Sequence, residues 1–77
     1  MQFRLIAIIK DFITGKYIKI KLRYRAKTQV EAIQKGVLIT RNLSNIQLCE
    51  IKRIYKNKEN TIYKYRRIKE VIENGIF

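Results

Sequence analysis

Between Tyr17 and Arg25 the chain reads YIKIKLRYR, with Ile18, Ile20, Leu22 and Tyr24 on one set of alternate positions and Lys19, Lys21, Arg23 and Arg25 on the other. Successive side chains leave opposite faces of a β-strand, so a period of two sorts these residues into one apolar and one cationic face. A helix, at 100° per residue, would scatter them around its circumference. The segment therefore demands a strand whose apolar side is covered by something else in the chain.

The neighbouring segments supply that cover. Gln2 to Lys10, QFRLIAIIK, is apolar on both faces, with Phe3, Leu5, Ala7 and Ile9 on one and Ile6 and Ile8 on the other. Such a strand belongs inside a sheet or beneath a partner. Asp11 to Lys16, DFITGK, contains Gly15 and reads as the hairpin connection between the two strands. Thr28-Gln29-Val30-Glu31 has the form of a capping box, and predicts a helix from about Gln29 to Asn42. Val30, Ile33 and Val37 form one apolar line on that helix, and Ala32, Gly36, Ile39 and Leu43 form a second beside it. Gly36 disfavours the helix interior, and its small size suits close approach to a strand.

After NLSN (42–45), the segment Ile46 to Lys56 reads as a third strand. NKEN (57–60) is read as a polar turn, and Thr61 to Arg67 as a fourth strand paired with the third. The final IKEVIENGIF has two readings. It is a short helix using Ile68, Val71 and Ile72 and stopped by Gly75, or an extension of the strand. The expected fold class is α+β, in ββαββ order, with one antiparallel sheet packed on one helix. Seventy-seven residues allow a single domain with a modest core.

Charge bounds the function. The 18 Lys and Arg against 6 Asp and Glu give a formal net charge of +12, whose self-repulsion a polyanionic partner would relieve. An AT-rich coding sequence also enriches Lys and Ile, but it does not explain the excess of basic over acidic residues. The chain has no His, one Cys and three well-separated Gly. These absences leave no proton shuttle for neutral pH, no zinc set, no thiol–base pair and no phosphate-binding glycine loop. The six acids form no pair at acid–base spacing, so a non-enzyme is expected, without metal or cofactor. Cys49 alone excludes an internal disulfide framework and suggests a reducing compartment. The N-terminal apolar run is too short for a signal peptide, and no run approaches a membrane span. A cytoplasmic location is expected.

The cationic row is the main candidate site. Lys19, Lys21, Arg23 and Arg25 would lie about 6.5 Å apart and span about 20 Å, comparable with phosphate spacing along a nucleic-acid strand. A second basic group in the other hairpin includes Lys52, Arg53, Lys64 and Arg66, interleaved with Tyr55, Tyr63 and Tyr65. Aromatic and basic residues together suit stacking and phosphate contact. The competing view is a solvated outer strand face, with Tyr63 and Tyr65 in the core.

The ββαββ order is similar to that of some small phage proteins, including certain anti-CRISPR proteins, and loosely to small archaeal ribosomal proteins. No diagnostic motif accompanies the order, and no family is assigned on it. Three functions are expected to compete: a nucleic-acid-binding protein working through phosphates, a phage-encoded inhibitor on an acidic protein or ribonucleoprotein surface, and a subunit of an RNA–protein assembly. Ile6 and Ile8 point away from the single helix, and are expected to meet a second protein surface, most simply in a homodimer.

Overall fold

The computed structural model describes residues 1–67. Four strands and one helix follow in the order β1 (Gln2–Lys10), β2 (Tyr17–Arg25), α1 (Gln29–Arg41), β3 (Ile46–Tyr55) and β4 (Lys58–Arg66). The sheet is antiparallel throughout, in the order β2-β1-β3-β4. The fold is α+β with the expected element order. The readings of the C-terminal segment from Ile68 lie outside the described residues.

β1, apolar on both faces, occupies an interior position as its composition requires. Its register places Leu5 between Leu22 and Ile51, and Ala7 between Ile20 and Cys49. These residues share the face on which α1 lies. Phe3, Leu5, Ala26, Ala32, Cys49 and Ile51 form the buried cluster there, with Tyr24, Ile39, Ile62 and Tyr63 packed against it. Burying each large apolar side chain stabilises the fold by roughly 1.5–3 kcal/mol.

α1 begins where the capping box puts it. The Thr28 hydroxyl accepts from the Glu31 amide at 3.1 Å. The Glu31 carboxylate reaches one residue further back than expected, to the Lys27 amide at 3.3 Å, and also pairs with Lys35 at 3.1 Å. Those contacts, led by the one with Lys35, hold its carboxyl below the usual range. Only the second apolar line of the helix meets the sheet. Ala32 and Gly36 are buried, whereas Ile33 and Val37 are half-buried and Val30 is exposed. The small line wins because it lets the helix axis approach closely. A Cβ on Gly36 would collide with the Ile51 side chain and sit 3.1 Å from the Tyr24 hydroxyl. That hydroxyl donates to the Ala32 carbonyl at 2.6 Å, tying β2 to the helix backbone.

The second hairpin differs from expectation. Its turn is Lys56-Asn57 rather than residues 57–60, with φ of +48° and +64°. Two consecutive positive φ values mark the tight turn whose twist matches the flanking strands. β4 consequently starts at Lys58, pairing with Tyr55, and Glu59 lies in a strand instead of a turn.

Ile6 and Ile8 require a correction. They are 7% and 0% exposed within the single chain, and Leu48 and Glu50 beside them on the same face are buried too. The premise that this pair lies uncovered therefore does not hold, and a second copy is not needed to cover it. The alternative cover weighed for it, Val71, Ile72, Ile76 and Phe77, lies outside the described residues. The sequence pattern located the two side chains on the correct face, but burial of that face depends on contacts that alternation does not encode.

Candidate nucleic-acid interface

The β2 row is assembled as its alternation demands. In the β1–β2 register Lys19 stands opposite Ile8, Lys21 opposite Ile6, Arg23 opposite Arg4 and Arg25 opposite Gln2. All four cations are exposed on the sheet face away from α1. β2 is an edge strand of the sheet formed by the described residues. On the helix side, Ile18 and Leu22 remain 45% and 41% exposed. The helix packs chiefly on β3, with lesser contact on β1 and β4, and leaves this outer strand partly bare.

Acids are distributed unevenly across the face away from α1. Glu50 on β3 pairs with Lys52 at 3.5 Å and with Lys64 at 3.7 Å, and accepts from the Thr61 hydroxyl at 3.4 Å. Glu59 on β4 reaches across to Arg4 on β1 at 2.6 Å. Glu31 is engaged on the helix, and Asp11 in the first hairpin loop. Among the described residues no carboxylate lies within ion-pair distance of Lys21, Arg23 or Arg25. Among the described residues the carboxylates therefore compensate cations on β1, β3 and β4 rather than Lys21, Arg23 and Arg25.

The second basic group does not form one surface. Lys52, Lys64 and Arg66 share the face away from α1 with the β2 row, but Arg53 points to the helix side. Neighbouring residues in a strand cannot share a face. There Arg53 lies over the Tyr55 ring at 5.4 Å, with its Nε buried and lacking a hydrogen-bond partner. Sheet order separates the rest: β4 is three strand spacings from β2, about 14 Å, with Ile6, Ile8, Leu48 and Glu50 between. One cationic line does cross the sheet, from Arg23 through Arg4 to Lys52 in direct cross-strand pairing. Tyr63 packs against the core as the competing view held, while Tyr65 on the same face and Tyr55 are exposed.

Other site chemistry is sparse. Cys49 is buried, and burial first, then the Glu50 carboxylate, pushes its thiol up to about 11. A thiol held protonated is a poor nucleophile. No cluster of three or more His, Cys, Asp or Glu among the described residues could hold a metal ion. No helix among them is long and apolar enough to cross a membrane. No family model, curated protein or solved structure matches the chain.

Sequence reasoning treated the first hairpin loop only as a connection. The structure brings that loop together with Lys10, Asn45, Gln47 and Arg67 around a recess at the end of the sheet. The available signal was Phe12-Ile13, two large apolar residues in a segment where turns are ordinarily polar.

Proposed function

We propose that the chain is a small, non-enzymatic nucleic-acid-binding module that grips phosphates along β2. One observation carries the reading: Lys21, Arg23 and Arg25 are exposed at regular strand spacing with no acid in ion-pair reach among the described residues, while carboxylates neutralise cations elsewhere on the sheet. Regular cations without compensating acids match the repeat of a polyanion, and their binding releases its counterions. The module would act in the cytoplasm, of a host cell for a viral protein, where Cys49 stays reduced.

A rival reading, an inhibitor or regulator seated on an acidic protein or ribonucleoprotein surface, is favoured by the edge position of β2 among the described strands and the half-exposed Ile18 and Leu22. An added strand with acidic residues on one face and apolar residues on the other would satisfy both. Oligonucleotide binding by the isolated chain separates the two. On the phosphate reading, log affinity for a single strand falls with log salt at a slope of about −2 to −3 for three to four contacts. Lys21, Arg23 and Arg25 changed together to Glu abolish that binding with the fold retained. Binding that survives the reversal at physiological salt overturns the reading.

A further inference from the structure

The loop between β1 and β2 is tightly fixed and yet presents apolar side chains to solvent. The Asp11 carboxylate accepts from the Ile13 amide at 3.0 Å and from the Thr14 hydroxyl at 2.9 Å. Its backbone receives the Gly15 amide at 2.8 Å and donates to the Lys16 carbonyl at 2.8 Å. Gly15 supplies the left-handed φ of +70° that closes the turn. Held in this way, Phe12 and Ile13 are 78% and 94% exposed.

Phe12 lines a recess of about 500 Å³ together with Lys10, Asp11, Asn45, Gln47 and Arg67. Its walls are bonded to one another. Lys10 donates to the Asn45 carbonyl at 3.2 Å, and the Asn45 side-chain amide returns a bond to the Lys10 carbonyl at 3.0 Å. The Arg67 amide donates to the Gln47 carbonyl at 2.8 Å. The Gln47 side chain is buried, with Nε2 donating to Asn45 Oδ1 at 2.9 Å, while its Oε1 has no donor. Phe12, the cationic residues Lys10 and Arg67, and the acidic Asp11, whose carboxylate is already engaged by the Ile13 amide and the Thr14 hydroxyl, thus line one space of ligand size. The recess also continues the β2 row. The Lys10 ammonium lies 5.9 Å from the ring of Tyr17, the next residue beyond Lys19 on the face away from α1.

The geometry points to a nucleotide subsite: the recess takes one unpaired base of a single-stranded nucleic acid bound along β2. The base stacks on Phe12, and its flanking phosphates meet Lys10 and Arg67. The subsite rests on the phosphate-binding reading above and adds base contact to it. Stacking tolerates any base, so the preference is for unpaired over duplex strands rather than for a sequence.

The full chain is titrated with single-stranded oligonucleotides carrying 2-aminopurine, and with the matching duplex. The wild type is expected to bind the single strand and change the probe's emission. Phe12→Ala weakens that binding about tenfold, as loss of one stacked base does, with an unchanged salt slope and an unchanged thermal midpoint. Phe12→Trp keeps the affinity, and its indole, in a chain that otherwise has no Trp, is quenched on binding. If Phe12→Ala binds as wild type while the β2 charge reversal abolishes binding, the subsite falls and the phosphate reading stands. A wild type that binds no oligonucleotide removes both. A wild type that partitions through Phe12 onto anionic phospholipid vesicles but not onto oligonucleotides overturns the subsite in favour of a lipid surface.

Discussion

Arg4 and Arg23 stand directly opposite each other across β1 and β2, cation against cation, and Glu59 from the far edge of the sheet reaches Arg4 at 2.6 Å. Like charges in direct cross-strand register oppose pairing. The carboxylate relieves Arg4, whereas no carboxylate among the described residues lies within ion-pair distance of Arg23.

Replacing Glu59 with Gln therefore exposes the line from Arg23 through Arg4 to Lys52. The expected result is tighter oligonucleotide binding at low salt, by up to about fivefold, alongside a stability loss of at most about 1 kcal/mol. The salt slope should steepen by up to about one. Fluorescence titrations at several salt concentrations, with denaturant melts, measure both. Unchanged or weaker binding would show that Arg4 takes no part.

Gly36 reports on the seating of the helix. Alanine there gains about 1 kcal/mol of helix propensity but drives a methyl into Ile51, and overpacking costs roughly 1–3 kcal/mol. A net destabilisation of up to ~2 kcal/mol is expected for Gly36→Ala by urea unfolding. Ile51→Val removes the colliding methyl, so the double variant should be less destabilised than the sum of the two single changes. Additive costs would mean that the clash is relieved elsewhere.

Alkaline pH should destabilise the chain through two acids, the buried Cys49 thiol and the partly buried Tyr24 hydroxyl. Burial and the Glu50 carboxylate raise the Cys49 thiol from 9.0 to about 11, and burial, then Cys49, raises Tyr24. A group with a raised folded pKa binds its proton more tightly when folded, so the unfolded chain gains as protons are released. Stability is complete below about pH 9 and declines between pH 9 and 11, by on the order of 2 kcal/mol for the thiol. In Cys49→Ala that decline should start only near pH 10, where tyrosine ionises in the unfolded chain. A wild-type stability flat from pH 8 to 11 would contradict the assignment.

The Lys56-Asn57 turn gives a test of register. Its two positive φ values favour Asn-Gly. Lys56→Asn with Asn57→Gly should raise the melting temperature by a few degrees, equivalent to about 0.5–1 kcal/mol. A turn centred on residues 58–59 would gain nothing from the pair.

Legibility in the sequence followed locality. The β2 alternation and the Thr28–Glu31 cap are patterns a few residues long, and each produced its element because local sterics and hydrogen bonds determine it. Strand parity also separates Lys52 from Arg53, a distinction lost when the two were grouped by charge. The hairpin turn was not legible, because NKEN is polar throughout and its polarity does not reveal which pair takes positive φ. Partners for Glu50 and Glu59 depended on sheet order. The recess draws on Lys10, Phe12, Asn45, Gln47 and Arg67, whose convergence is created only when the loops meet.

β1 is bonded on both sides, to β2 next in sequence and to β3 beyond the helix. The two pairings cannot form together during synthesis. A hairpin closes within microseconds, whereas β3 is still untranslated, and at roughly 5–20 residues per second it follows only after seconds. Throughout that interval a nascent β1–β2 ribbon carries an open central edge, together with Leu5, Ile6 and Ile8 lacking their β3 neighbours. Such a ribbon is a natural client for chaperones. A chain halted after Arg41 should accordingly aggregate or be retained by a holdase, while the same chain extended through Arg67 should be released. Equal solubility of the two would show that the ribbon shields itself.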